Sequence, residues 1–127
     1  MEYVAIVTAL ALLVYMYMAF QVGTGRGKYG VEAPAISGHP TWERLYRVQT
    51  NTVEQLVIFL PALWMFAYLG NPVWAAAIGL VFVIGRVLYL VSYVKDPASR
   101  TLGFGLGFLA NVVLVIGVLV QAVLALR

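Results

Sequence analysis

The chain has 127 residues, of which 63% are hydrophobic and 10% charged, with a formal net charge of +3 and no cysteine. This length allows one domain, and the apolar content is far above that of a soluble globular chain, so we expect the protein to reside in lipid. The lack of cysteine excludes disulfides, cysteine-ligated metals and a catalytic thiol supplied by the protein itself.

Four apolar segments of about twenty residues or more follow one another, and each is long enough to cross a hydrocarbon core of roughly 30 Å. We therefore predict an all-α membrane protein, an up-down four-helix bundle that forms a single transmembrane domain over 1–127. The predicted helices span 3–22, 42–69, 73–94 and 101–126. The first segment lacks a basic start and is too long for a signal-peptide core, so we expect it to remain in the protein.

Two predicted connections differ in character. The first, over 23–41, is rich in glycine and proline, has no helical period and is predicted to be a loop. It contains the single histidine, His39, which we interpret as an ordinary loop residue. A metal ion would need further ligands beside His39, so no metal site is expected. The second connection is a tight Gly-Asn-Pro turn, which predicts that helices two and three are antiparallel neighbours.

Basic residues are distributed unevenly along the chain. Seven of the eight lie in or near the first and third connections, and the second connection has none. The positive-inside rule then predicts that loops one and three are cytoplasmic and that both termini lie outside. The net positive charge reports this topology and an anionic ligand on the cytoplasmic side, and we expect no nucleic-acid partner.

The second helix begins with a polar stretch, "WERLYRVQTNTVEQ", in which four side chains spaced three or four residues apart share one helical face. These residues are Arg44, Arg47, Asn51 and Glu54. The predicted helix is longer than the hydrocarbon core is thick, so its first turns should project into the cytoplasmic interface. Asn51 and Glu54 should then lie progressively deeper.

The third helix repeats the arrangement, because Arg86, Tyr89 and Tyr93 are again three and four residues apart. This helix runs back toward the cytoplasm, which places Arg86 at a depth where it can meet Glu54. An unpaired ion in the membrane centre is costly, so pairing or a wet cavity is expected. The two polar faces together indicate a positively charged cavity that contains one carboxylate and opens to the cytoplasm.

Plainer interpretations stay open beside the cavity. The interfacial arginines and Lys95 can be anchors whose charged ends reach the headgroups. Asn51, Glu54 and Arg86 can be polar contacts between helices. A cavity of this composition suits a small zwitterion with excess negative charge, because arginine grips carboxylates while Glu54 can hold an ammonium group. Glutathione has these parts, and other amino-acid-like anions fit the same inventory.

The fourth helix begins "TLGFGLGFLANVV", which places Gly103 and Gly107 four residues apart and Asn111 on the same face. Small residues at this spacing let helices approach closely in a membrane. We interpret this face as a packing surface, with a contact between subunits as one location for it.

The stretch "ERLYRVQTNTVE", continuing into "LVIFLPALW", resembles the signature of the membrane-associated proteins in eicosanoid and glutathione metabolism, the MAPEG family. A second match is "GRVLYLVSYVKDPASR", and the similarity extends over essentially the whole chain. The chain resembles a bacterial-type member of the family that is similar to the microsomal glutathione transferases. The resemblance implies a homotrimer that binds glutathione between adjacent subunits near the cytoplasmic side.

Site residues follow from the resemblance position by position. It implies glutathione contacts at Arg26, Arg47, Gln49, Asn51, Glu54, Tyr89 and Tyr93. Arg100 stands at the position of the arginine that stabilises the glutathione thiolate, and Arg86 matches an arginine with a structural or supporting role. The chain departs from the pattern at Gln55, where several transferases have tyrosine, and at Gly27, where one branch has a second arginine.

The implied activity is that of a glutathione-dependent transferase or peroxidase, which acts on hydrophobic electrophiles or lipid peroxides that arrive through the membrane lipids. A non-catalytic lipid-binding scaffold of the same fold is the first alternative. Its branch lacks the arginine that matches Arg100, so Arg100 favours an enzyme. A small four-helix transporter is the second alternative, and it is disfavoured because helix one carries no charge after Glu2.

Overall fold

The computed structural model describes residues 1–126, the side chain of Pro97 excepted, and it contains four long helices joined by short connections. They are α1 (Glu2–Tyr29), α2 (Pro40–Leu69), α3 (Pro72–Lys95) and α4 (Thr101–Ala125), with a short 3-10 helix at Pro97–Ser99. All four are long and apolar enough to cross a membrane. The predicted all-α four-helix fold is confirmed, and the protein is an integral multi-pass membrane protein.

The first helix is longer than predicted. It continues past residue 22 to Tyr29 and ends at Gly30, whose φ of 71° is left-handed and whose N–H donates to the carbonyl of Arg26. The predicted loop over 23–41 is therefore wrong in its first part. The glycines there do not break the helix, because Gly25 leaves room for the indole of Trp42, whose Cδ1 lies 3.0 Å from the place of an added Cβ.

The two long helices that begin with proline are each capped by the side chain of the preceding residue. His39 precedes α2, and its Nδ1 accepts a hydrogen bond from the backbone N–H of Thr41 at 3.2 Å. Asn71 precedes α3, and its Oδ1 accepts from the N–H of Val73 at 2.8 Å. Proline fits directly after such a cap because its missing N–H would be unpaired there anyway. The turn between α2 and α3 is short, and the two helices are antiparallel neighbours as predicted.

Two helices form the centre of the bundle, because α2 packs against each of the other three helices and so does α3. Phe82 on α3 stacks on Phe59 of α2 with ring centroids 3.9 Å apart, and both rings are buried. Large apolar side chains also cover the outer faces of the helices. Such a surface matches lipid tails, so only the contacts between helices distinguish inside from outside.

Two glycines bring α3 and α4 into backbone contact. A Cβ added at Gly103 would lie 2.7 Å from the Cα of Tyr89 and 2.8 Å from the carbonyl oxygen of Gly85. Gly107 continues this face, and it packs beside the guanidinium of Arg86. The predicted packing role of Gly103 and Gly107 is therefore observed within one chain, and their alternative location at a subunit contact is wrong because α3 covers them.

Gln55, the departure noted in helix two, also contributes to helix packing. Its backbone carbonyl and its side-chain Oε1 both accept hydrogen bonds from the amide nitrogen of Asn111, at 3.3 and 3.1 Å. Asn111 is buried on α4. A polar contact between helices is favourable in lipid because the alternative is an amide without any partner.

We predict that Gly103→Ala lowers the free energy of unfolding by about 1–3 kcal/mol, since the methyl group overlaps the α3 backbone. The matched control is Gly105→Ala on the same helix, where an added Cβ meets nothing within 4 Å. Alanine is favoured over glycine in a helix interior by roughly 0.5–1 kcal/mol, so the control should be neutral or stabilising. Thermal unfolding in detergent measures both, and equal losses would contradict the close contact.

Candidate functional site

A polar pocket of about 400 Å³ lies at the end of the bundle where α2 begins, α3 ends and α4 begins. It is the first candidate for a ligand site, because aromatic rings and several charged or hydroxyl-bearing side chains converge on one concavity. Its lining residues are Tyr46, Arg47, Thr50, Asn51, Glu54, Tyr89, Tyr93 and Arg100.

Three elements supply this polar pocket. The first turns of α2 give one stripe of side chains, since residues three and four apart lie on the same side of a helix. Tyr89 and Tyr93 come from the last turns of α3, and their rings stack with centroids 5.4 Å apart. Arg100 follows the 3-10 helix and directly precedes α4, so the approach of α4 to α3 sets its position.

Most of the predicted site residues meet in this pocket, and two do not. Those that line it are Arg47, Asn51, Glu54, Tyr89, Tyr93 and Arg100. Arg26 instead donates to the carbonyl of Ala35 at 2.8 Å, and its guanidinium lies 4.7 Å from the ring centroid of Trp42. Gln49 donates to the hydroxyl of Tyr15 at 3.4 Å. Within one chain, Gln49 therefore lies on the side of α2 that faces α1, and Arg26 lies on α1 itself.

Two lining residues were missed from the sequence. Thr50 lies three residues after Arg47 and four before Glu54, and Tyr46 lies four before Thr50. The helical spacing that links the predicted residues of α2 places both on the same side. A search of that face for every side chain with a polar atom, rather than for charges and amides alone, finds them.

The free charges of the pocket are two guanidinium groups and one carboxylate. Across residues 1–126, no ion pair within 4.0 Å involves Arg47, Arg100 or Glu54. Arg100 also stands at the N-terminus of α4, where the unpaired N–H groups of the first turn add positive potential. The pocket can therefore bind an anion, and it offers one acceptor for a cationic group of the same ligand.

A buried arginine lies behind Asn51, one of the residues that line the pocket. Arg86 is 1% exposed, and its Nη1 donates to Oδ1 of Asn51 at 2.6 Å and to Oγ1 of Thr52 at 3.3 Å. The expected meeting of Arg86 with Glu54 is wrong, since no ion pair joins them in the described part of the chain. Glu54 is exposed and faces the opening, whereas Arg86 points into the bundle.

Arg44 was expected on the same polar face as Arg47, but it lies outside the pocket. Its Nη1 donates to the carbonyl of Val94 at 3.2 Å, which ties the first turn of α2 to the last turn of α3. This contact stabilises the end of the bundle that holds the pocket.

A second cavity of about 450 Å³ adjoins the first one and shares Asn51, Tyr89 and Arg100 with it. Its other lining residues are Thr101, Phe104 and Gly105, all from the first turns of α4. Arg100 therefore borders two compartments, one lined mainly by polar groups of α2 and one lined by the lipid-spanning helix α4.

The fold and these cavities define a four-helix membrane protein with a cationic pocket at one end of its bundle. The sequence profile of the MAPEG family matches residues 4–120, and the chain belongs to that family. This confirms the resemblance carried by the motifs of helices two and three.

Individual relatives agree with the family assignment. The chain is 45% identical to an uncharacterized protein of Synechocystis over 123 residues, which are 97% of the chain and 90% of the relative. It is 43% identical to human microsomal glutathione S-transferase 2 over 108 residues, 84% of the chain and 74% of the relative. It is 34% identical to bovine leukotriene C4 synthase over 96 residues, 76% and 64% of the two chains.

Proposed function

We propose that the protein is a glutathione-dependent membrane transferase that activates glutathione as a thiolate. The observation that carries this proposal is the convergence of two unpaired guanidinium groups, one carboxylate and one amide in a pocket of about 400 Å³. Glutathione has two carboxylates, one ammonium group and two peptide amides, so its charges complement those of the pocket. The similarity to human microsomal glutathione S-transferase 2 supports the same ligand.

Each pocket residue has a role in this proposal. Arg47 pairs with a carboxylate of glutathione, Glu54 holds the ammonium group, and Asn51 donates to a peptide carbonyl. Tyr89 and Tyr93 form the aromatic wall. Arg100 stabilises the ionised thiol, because a nearby cation and a helix N-terminus both lower the pKa of a thiol from its usual value of about 8.5. Ionisation matters because the thiolate is the nucleophile.

The second substrate is an apolar electrophile that arrives from the bilayer. The cavity bordered by Phe104 and Gly105 adjoins Arg100 and offers a place for it. Attack by sulfur forms a carbon–sulfur bond, and the displaced electron pair leaves with the leaving group or is protonated from water. Attack on the oxygen of a lipid hydroperoxide would instead break the O–O bond, release the lipid alcohol after protonation and leave glutathione sulfenic acid. A second glutathione would then convert the sulfenic acid to glutathione disulfide and water.

We further propose a homotrimer in which a neighbouring chain completes the pocket. Arg26 and Gln49 lie outside the pocket of a single chain, although the family pattern places both at the ligand. Glu54, Thr50 and Arg100 are exposed, so the pocket has an open side that a neighbour can cover. Closure would exclude water from the reacting thiolate.

The trimer gives a simple expected mass. Light scattering of the protein in detergent, with the detergent contribution subtracted, should give three times the 13.9 kDa of one chain. A mass of one or two chains at concentrations that support glutathione binding would contradict the trimer.

The activation step predicts a spectroscopic signal. Titration of the purified protein in detergent with glutathione should give a saturable thiolate absorbance in the ultraviolet difference spectrum. Arg100→Ala should abolish this signal while retaining binding, because its cation stabilises the ionised thiol. Arg47→Ala should instead weaken binding by about tenfold, which corresponds to roughly 1.4 kcal/mol for a lost carboxylate contact.

The matched control is Lys95→Ala, which removes one positive charge at the same end of the bundle from a residue that is exposed and outside the pocket. It should leave both binding and thiolate formation as in the unaltered protein. Binding without a thiolate in the unaltered protein would indicate the scaffold alternative. No binding at millimolar glutathione would overturn the proposed ligand.

We also propose that the pocket end of the bundle faces the cytoplasm, as the clustering of basic residues predicts. The chain has no cysteine, so single cysteines can report sidedness without any background. In intact cells, a membrane-impermeant maleimide should label Asn71→Cys in the second connection and should label Lys28→Cys only after permeabilisation. The reverse pattern would show the opposite orientation.

A further inference from the structure

Arg86 is a buried cation without a carboxylate partner among the described residues. It is 1% exposed, and it forms no ion pair within the part of the chain that the structure describes. Its Nε and one terminal nitrogen have no hydrogen-bond partner in the buried interior. Both features cost free energy in a membrane protein, so stability alone does not explain an arginine here. The reason for an arginine at this position should therefore lie in the hydrogen bonds of its remaining nitrogen, Nη1.

That nitrogen fixes the orientation of one pocket residue. Nη1 of Arg86 donates to Oδ1 of Asn51 at 2.6 Å, a short bond to a charged donor. An arginine has donors only, so the asparagine oxygen must face it, and a flipped amide would set N–H groups against N–H groups. The NH2 group of Asn51 is then directed away from Arg86. No described residue accepts a hydrogen bond from it, and Asn51 lines the pocket.

Arg86 has little freedom to move away from this position. Its guanidinium lies 4.6 Å from the ring centroid of Tyr89 and 5.9 Å from those of Phe82 and Phe104. On the side of α4, its Nε is 3.3 Å from the place where a Cβ at position 107 would stand, so Gly107 leaves just enough room. A second bond, to Oγ1 of Thr52 at 3.3 Å, holds the same nitrogen. Together these contacts restrict the movement of the Arg86 guanidinium.

From this geometry we propose that Arg86 is a positioning residue for the polar pocket. It holds the amide of Asn51 so that position 51 presents two N–H donors to the ligand and no acceptor. The pocket then selects ligands with a carbonyl or carboxylate oxygen at this point and rejects those with an N–H there. This proposal rests on the proposed function for the identity of the ligand, glutathione, but its first step concerns the protein alone.

The first experiment tests the contact without any ligand. Asn51→Asp keeps an oxygen for Arg86 and adds a charge that suits the cation, whereas Asn51→Leu keeps the size and removes the oxygen. Thermal unfolding in detergent should place Asn51→Asp at or above the unaltered protein and Asn51→Leu below it. Equal destabilisation of the two variants would overturn the proposal. Neither variant alters Arg86, so the result does not depend on an arginine substitution that folds.

The second experiment tests the consequence for binding by calorimetric titration with glutathione. Arg86→Gln and Asn51→Ala should each raise the Kd by about tenfold, the equivalent of roughly 1.4 kcal/mol. The double variant should bind no more weakly than Asn51→Ala, because Arg86 acts through Asn51. Additive losses would overturn the positioning role. If Arg86→Gln does not fold, Arg86→Met replaces it, with the same expectation because methionine has no N–H to donate to Asn51.

Thr52→Val is the matched control, since it removes the other hydrogen bond of the same Arg86 nitrogen and Thr52 does not line the pocket. Its Kd should stay within about twofold of the unaltered protein, because the aromatic rings and Gly107 still hold Arg86 against Asn51 and no ligand contact is lost. A tenfold rise in the Kd of Thr52→Val would show that any disturbance of Arg86 weakens binding. That result would contradict a specific action of Arg86 through Asn51. If the unaltered protein binds no glutathione, the proposed function fails, and the unfolding experiment still decides whether Arg86 holds position 51.

Discussion

The backbone contact between α3 and α4 is the constraint on which the site depends. Gly85 and Gly103 let the two helices touch at the level of Tyr89. Arg100 precedes Gly103 by only one helical turn, so this contact places Arg100 beside the tyrosines of α3. It also places Arg100 opposite the polar face of α2. A larger residue at either glycine would move the start of α4 outward and separate Arg100 from Asn51 and Tyr89, with which it shares two cavities.

Few polar side chains are buried among the described residues, and two of the three, Thr52 and Arg86, are hydrogen-bonded to one another beside the pocket. The core around Phe59 and Phe82 is apolar, whereas Arg86, Asn51 and Thr52 form a hydrogen-bonded layer directly below the pocket. In lipid there is no water to compensate a polar group that loses its partner, so such a layer is rigid once formed. A rigid base under a pocket reduces the conformational entropy that the protein side chains lose when a ligand binds.

The sequence predicted the fold because apolar length is a strong signal in membranes. It also predicted most of the pocket, since residues three and four apart on α2 and α3 needed only helical geometry to share a face. Prediction from the sequence failed where contacts between helices override the local preferences of the residues. The glycines after residue 22 suggested a loop, but the packing of Trp42 against Gly25 keeps them helical. The predicted meeting of Arg86 with Glu54 was also wrong, because the depth of a residue along a helix does not determine the direction in which its side chain points around the helix axis.

The proposed site would also lie where the aqueous phase and the lipid bilayer meet. One compartment beside Arg100 is lined by charged groups of α2, and the other is formed by the first turns of a helix whose outer face is apolar. A water-soluble peptide and a lipid-soluble electrophile would thus approach the same guanidinium from different solvents. The concentration that matters for the apolar reactant is then its concentration within the bilayer. Partition into lipid would raise the encounter rate without any specific contact from the protein, which leaves the second cavity free to accept electrophiles of varied shape.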